Sequence, residues 1–468
     1  MKVPYLMRSI RAGGLIVSLG CTSGFALASE AAMDSTATMA GYIAVDAPAP
    51  GLIGDATFDS VADDRAVPLV HIAKPVVVAP LAAPSDGLAP MQLGQGVALA
   101  HAEVDASRLQ WQRLPDNRWA GRFEIKADEA GGLRAALRIR SADGGPALPD
   151  AVLSETRFHF GGANREVYES SAKEIIENDN FWSPLIKGDT LYVEVVLPVG
   201  ASRDAMRIDL PRLSYFPKPA MQALYSNGFG SSYHGQIDVV CRPPTQDLKT
   251  LSAAVAKMTY TNANGWSYGC SGTLLDNRNV PKRSLFMTAK HCIEDQASAR
   301  SLQTVWFYDQ TVCGGGASTV NPRAVTLNSG ARLLLAHATL DSSLVELNSR
   351  PPIGANYQGW RSDPIRYSED VVALHHPSFD VKKYTDGYVS RRLPGYRRAD
   401  IMVHYGDGGV EGGSSGSGLF TNGGNGYVFR GNLSGGSGGS LDTWFRAGHY
   451  ADFSQFYPSV SHYFGDRG

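Results

Sequence analysis

Gly413-Ser414-Ser415-Gly416-Ser417, near the C-terminal end of a 468-residue chain, is a glycine-flanked serine turn of the kind that holds a reactive hydroxyl. A serine hydroxyl is a weak nucleophile at neutral pH and needs an imidazole to take its proton and a carboxylate to orient that imidazole. Both partners are found upstream. Thr288-Ala289-Lys290-His291-Cys292 follows the apolar run Phe286-Met287, and Asp341 directly precedes Ser342-Ser343-Leu344-Val345-Glu346-Leu347, which reads as a buried strand. The order histidine, aspartate, serine belongs to paired antiparallel β-barrels, whereas other scaffolds thread the same three roles differently. The expected roles are Ser415 as nucleophile, His291 as base and Asp341 as orienting acid. Gly413 and Ser415 are expected to offer their backbone N–H groups to a developing oxyanion.

Single motifs of this kind have plainer readings: a Gly-Ser stretch is often a linker, a histidine a core residue, an aspartate a turn residue. Three in one permitted order, two of them flanked by strand text, favour the catalytic reading. His337, His375 and His376 lack the strand-then-cysteine setting of His291 and are expected away from the reacting atoms. No metal or cofactor is implied.

The cysteines extend the argument. Cys21 lies in the leader, and Cys241, Cys270, Cys292 and Cys313 form an even set. Four cysteines allow three pairings. Cys292 follows His291 directly, which favours a bond to Cys270 that closes the loop carrying the histidine and leaves Cys241 to pair with Cys313. No close Cys-x-x-Cys spacing suggests zinc.

Lys2, Arg8 and Arg11, the apolar run Gly13 to Leu19, and Ala26-Leu27-Ala28 read as a cleavable export signal over residues 1–28. Ser18 stands where a lipid-attachment signal at Cys21 would favour leucine. A formal charge of −2, with 51 glycines and 26 prolines, describes a loop-rich globular chain and offers no basic surface for nucleic acid or membrane. The expectation is a monomer outside the cytoplasm, after periplasmic transit, acting on polypeptides.

The length suggests more than one folding unit. Residues 29 to about 95 read as a partly ordered leader. From Val97, alternating segments such as Trp119 to Ile125, Leu133 to Arg140 and Thr190 to Leu197 predict a compact β-sandwich ending near Pro217, and residues 217–233 an exposed connector. From about residue 234 the text is short strands and Gly/Asn turns, with a short helix expected over Ala451 to Tyr463.

These segments resemble the trypsin-like superfamily, and within it the precursors of bacterial lysyl endopeptidases. The resemblance rests on Ile237-Asp238-Val239-Val240-Cys241, Gly359-Trp360, His375-His376-Pro377-Ser378 with Asp380 and Lys382, Glu411 before the serine turn, and, upstream, Phe181-Trp182-Ser183-Pro184-Leu185-Ile186-Lys187-Gly188-Asp189-Thr190. It implies an all-β chymotrypsin-like double antiparallel β-barrel over residues 231–468, preceded by a β-sandwich pro-domain within a pro-region of residues 29–230. Cleavage is expected between Tyr225 and Ser232, with the pro-region acting as folding aid or intramolecular inhibitor.

The family pattern is broken in three places. A third disulfide is absent at both ends, which are His234/Gly235 and the Ser/Gly stretch beyond Leu433. The aspartate that confers lysine preference falls near Gly448. In animal trypsins a freed terminal amine pairs with an aspartate just before the nucleophile, and here Ser414 stands in its place, so latency must come from the pro-region. The primary pocket is expected to be walled by Ser434, Gly435 and Gly436, with Gly409 adding no charge. Asp442 is the acid that would restore a basic preference, and a small or apolar preference is the alternative. An inactive barrel that only binds, and an esterase, are the competing functions. The intact triad residues argue against the first and the residue order against the second.

Overall fold

The computed structural model describes residues 37–48, 51–60, 67–76, 90–100, 102–163, 166–177, 181–221, 232–392, 401–437 and 445–465. The expected export signal, most of the expected cleavage segment and Asp442 lie outside them. Among the described residues no helix is long and apolar enough to cross a membrane. Strands dominate and helices are short, as the alternating text requires.

Six strands near the C-terminus close on themselves. Asp370–His375 pairs with Lys383–Arg392, which pairs with Ile401–Asp407, then Ala447–Asp452, then Tyr427–Ser437, then Gly418–Asn422, which returns to Asp370–His375. The serine turn lies just before Gly418–Asn422. A second set runs through Val255–Thr261, Ser267–Leu275, Leu285–Thr288, Ser342–Leu347 and Ala331–His337, each antiparallel to the next. It carries His291 and Asp341. One apolar core joins the two sets through Met287, Leu344, Leu374 and Phe420.

The expected C-terminal helix is shorter than its periodicity suggested. Ala451 and Asp452 finish a strand, an α-turn spans Phe453–Phe456, and 3₁₀ turns follow at Tyr457–Ser459 and Ser461–Phe464. Pro458 cannot supply the amide that an α-helix would need there. The apolar spacing still serves burial, since Phe453, Tyr457 and Phe464 pack on Trp360 with ring centroids 5.7, 4.7 and 5.1 Å away.

Upstream, Trp119–Ala127, Arg157–Gly161 and Thr190–Leu197 form one sheet. Ala130–Ser141, Met206–Asp209 and Arg212–Pro217 belong to another. Phe123, Leu137, Phe158, Val195 and Ile208 share one core. The second sheet does not stop at the boundary of this region. Met91–Ala98 pairs with Arg212–Pro217 on one side and with Ser267–Leu275 on the other, so a 14-stranded sheet runs from the upstream region into the part that carries the histidine. Two sequence features permit this join. A Cβ on Gly96 would lie 2.1 Å from the Asn264 carbonyl oxygen, so only glycine lets the Asn262–Trp266 turn approach. Arg134, fully buried, donates to the Ser183 carbonyl, to Thr261 Oγ1 and to the Ser301 carbonyl, each at 2.8 Å.

The leader is more ordered than its composition suggested. Thr38–Met39 pairs with Trp360–Arg361, and Tyr42–Ile43 with Asn356–Tyr357. The connector begins with a helical turn, Lys218–Met221, whose Met221 packs with Leu93, Leu185, Phe216 and Phe379.

Candidate active site

The strand Leu285–Thr288 is buried throughout and delivers Ala289 and then His291 to its end. Both expected disulfides are present, Cys270–Cys292 and Cys241–Cys313. The first ties the residue after His291 to the adjacent strand Ser267–Leu275 and restrains the loop that holds the imidazole.

Asp341 grips the histidine at two points. One carboxylate oxygen accepts from the His291 backbone N–H at 2.9 Å, and the other lies 2.7 Å from Nδ1. With Nδ1 as donor, the proton is absent from Nε2, which is the tautomer a general base requires. Asp341 is itself buried and has φ 50°, a left-handed conformation uncommon for a non-glycine residue. Its carbonyl accepts from Lys290 N at 3.1 Å and from Asn432 Nδ2 at 3.0 Å, and these bonds hold that conformation.

The serine turn is fixed against both strand sets. The Ser271 amide donates to the Ser415 carbonyl at 2.8 Å, and Ser271 Oγ donates to the Gly413 carbonyl at 2.9 Å. Gly416 has φ 81°, and a Cβ there would lie 2.1 Å from Thr288 Oγ1 and 2.8 Å from Ala289 N, so the turn is pressed onto the strand that ends in His291. Gly413 has φ 90°, and a Cβ there would meet the His376 carbonyl oxygen at 2.8 Å. With their carbonyls engaged, the amides of Gly413 and Ser415 donate no hydrogen bond among the described residues. His291 Nε2 is buried and likewise makes none, so the bond from Ser415 to His291 is not closed in this form. Such links are often long in enzymes without substrate and tighten when it binds.

Ser434, Gly435 and Gly436 lie on the strand Tyr427–Ser437, where His449 and Gly448 occupy one flank of Gly435 and Gly436. On the other flank the pairing with Gly418–Asn422 ends at Asn432, and Leu433 then donates to the Ser417 carbonyl and accepts from the Gly416 N–H, both at 2.8 Å. Gly409 bonds through both its N–H and its carbonyl to Thr385 Oγ1, at 3.0 and 3.2 Å. Gly448 lies under a phenol: a Cβ there would be 1.8 Å from Tyr405 Oη, which bonds to Tyr450 Oη at 2.8 Å. Burial raises both phenols above their ordinary range, so they remain neutral. His449 is lowered by burial and bonds to Ser437 at 2.7 Å.

Three residues named in the sequence reading have contacts it did not assign. His375 and His376 are fully buried behind the serine turn, and Glu411 accepts from Tyr233 N, Gln236 Nε2 and Ser378 Oγ at 2.9, 2.8 and 2.8 Å. Their proximity in sequence to Ser378 and Gly413 was visible, but which side chains would turn inward was not.

An all-β chain that sets a carboxylate-held imidazole beside a rigid Gly-Ser turn, and whose relatives are peptidases, falls in the class of serine endopeptidases. A family model described as "Lysyl endopeptidase, C-terminal domain" matches residues 229–449, and one described as "Lysyl endopeptidase N-terminal domain" matches residues 74–217. The protein named Lysyl endopeptidase from Pseudomonas aeruginosa is 42% identical over 462 residues, covering 96% of this chain and 97% of that one. The chain belongs to the lysyl endopeptidase family. Among solved structures, protease Anisep from Arthrobacter nicotinovorans is 15% identical with a TM-score of 0.34, covering 46% of this chain and 98% of that one. The active form of a protease from M. tuberculosis is 14% identical with a TM-score of 0.32, covering 48% of this chain and 86% of that one.

Proposed function

We propose that the chain is a secreted serine endopeptidase made as a preproenzyme, with a chymotrypsin-like double barrel, in which Ser415, His291 and Asp341 form the catalytic triad. The observation that carries this reading is the two-point grip of Asp341 on His291 beside a serine turn that admits no side chain at Gly413 or Gly416. Ser415 Oγ attacks the scissile carbonyl while His291 Nε2 takes its proton, and Asp341 stabilises the resulting imidazolium. The carbonyl oxygen becomes anionic and receives the N–H groups of Gly413 and Ser415. His291 then returns the proton to the leaving amine, and water repeats the sequence on the acyl-enzyme.

In this reading residues 1–28 are the export signal and residues 29–230 the pro-region. Occlusion supports its role as inhibitor. The strand Met91–Ala98 lies along Ser267–Gly269 beside Cys270, and a methyl on Gly412 would meet Met91 Cβ at 3.9 Å. The test of function is cleavage of casein by processed enzyme. Activity should vanish in both Ser415→Ala and His291→Ala, and retention in either refutes the triad.

Family membership favours lysine or arginine before the scissile bond, with Asp442 supplying the acid that Gly448 lacks. The neutral Tyr405–Tyr450 pair over Gly448 favours a second reading, an uncharged preference, because a cation would find no carboxylate there. Sequencing casein fragments decides between them. Cuts after Lys that disappear in Asp442→Asn support the first reading, and cuts after apolar residues support the second.

A further inference from the structure

The turn that would hold the oxyanion is anchored from behind by a closed chain of polar groups. The Glu411 N–H donates to Ser414 Oγ at 3.1 Å, and the Ser414 hydroxyl donates to His375 Nδ1 at 2.8 Å. His375 Nε2 carries the ring proton to Thr385 Oγ1 at 3.2 Å, and Thr385 in turn accepts from Gly409 N and donates to Gly409 O. A neutral imidazole has one donor and one acceptor, and this arrangement uses each once. Ser414, His375 and Thr385 are all fully buried, so no water substitutes for a missing link. His375 and Thr385 sit on the paired strands Asp370–His375 and Lys383–Arg392, inside the closed barrel.

We propose that the Ser414–His375–Thr385 chain is the positioning device of the oxyanion turn, fastening both ends of residues 409–414 to the barrel wall and replacing the amine–aspartate ion pair of animal trypsins. This inference rests on the reading of Ser415 as nucleophile. Its members all lie downstream of the expected cleavage segment, and the bonds are formed in the uncleaved chain. The turn is therefore set before processing, and removal of the pro-region opens access to a site already assembled. Burial supports the neutral ring, holding His375 far below the ordinary histidine range, at about 3, with the Lys383 charge adding in the same direction. Ser414, His375 and Thr385 are positioning residues, since none touches the reacting atoms.

The test is the rate at which a small fluorophosphonate labels Ser415 in the full-length chain, before and after processing, compared across parent, Ser414→Ala and Ser414→Thr. Misplacing a catalytic group by about 1 Å costs on the order of 100-fold, so Ser414→Ala should label about 10- to 100-fold more slowly. Ser414→Thr keeps the hydroxyl and should recover most of the rate, and labelling is read well below the thermal midpoint of Ser414→Ala, which falls because two buried bonds are lost. His375→Asn offers a second acceptor toward Ser414 and should label faster than His375→Ala. Ser414→Ala labelling as fast as parent overturns the positioning role. A parent that labels only after processing, together with a processed Ser414→Ala that labels as fast as processed parent, overturns the preset turn but leaves the nucleophile assignment standing. A parent that labels in neither form overturns the nucleophile assignment itself.

Discussion

Arg134 gives the sharpest handle on how the N-terminal domain is held to the rest of the chain. Its guanidinium is fully buried and reaches across the join, donating to Thr261 Oγ1 and the Ser301 carbonyl as well as to its own neighbour Ser183. Arg134→Met keeps most of the volume and removes every donor. Thr261 Oγ1 retains Ser267 Oγ at 2.6 Å, so the loss falls mainly on the Ser183 and Ser301 carbonyls. Leaving a buried acceptor unsatisfied costs about 1–3 kcal/mol, so the two carbonyls together cost about 2–6 kcal/mol. At about 1.4 kcal/mol per decade, the joined state should weaken ~30- to ~20,000-fold. Hydrogen exchange on the inactive Ser415→Ala chain reads this directly, because amides of residues 91–94, the part of the Met91–Ala98 strand paired with Ser267–Gly269, exchange when the join opens. Protection there should fall at least ~30-fold in Arg134→Met, while amides of Thr190–Leu197, in the core of the same domain, remain protected. Unchanged protection along residues 91–94 would refute the idea that this buried cation fastens the two parts.

Asp341→Asn should preserve the fold yet lower kcat about 10⁴-fold by favouring the wrong imidazole tautomer, measured on a peptide amide with KM nearly constant. Gly413→Ala places a methyl 2.8 Å from the His376 carbonyl oxygen in a left-handed conformation, so kcat should drop by about 10²–10³-fold, and near-parent kcat would exclude Gly413 from the oxyanion site. In the N-terminal domain, burial would lower His159, but its hydrogen bonds to Glu169 and Glu194 outweigh that effect and raise it to about 9. A raised folded pKa contributes stability that is present below the ordinary value of 6.5 and lost as pH climbs through 9, on the order of 3 kcal/mol. Thermal midpoints of the Ser415→Ala chain should therefore decline over that window, and His159→Gln should flatten the decline.

Much of this was legible in the residues because it depends on local chemistry. Phe286-Met287 announced a buried strand, Cys292 fixed the histidine's loop, and the glycines around Ser415 marked a turn without room for side chains. What escaped depended on contacts distant in sequence. Met91–Ala98 falls mostly within the stretch read as a leader, and nothing local says that it forms a strand or that its partner is Ser267–Leu275. His375 looked like a spare histidine because its role lies in a bond to Ser414, 39 residues away. The short helix at Phe453 was overestimated because its spacing of aromatics records a need for burial around Trp360, which 3₁₀ turns satisfy equally well.

In the proposed mechanism Ser415 carries the acyl group of the substrate. Rapid quenching of the processed enzyme with an activated ester, followed by mass spectrometry of its peptides, tests this most directly. A burst of about one leaving group per chain is expected, with an acyl mass on the peptide containing Ser415, both absent in Ser415→Ala. Turnover without any acylated Ser415, or an adduct on another residue, would contradict it.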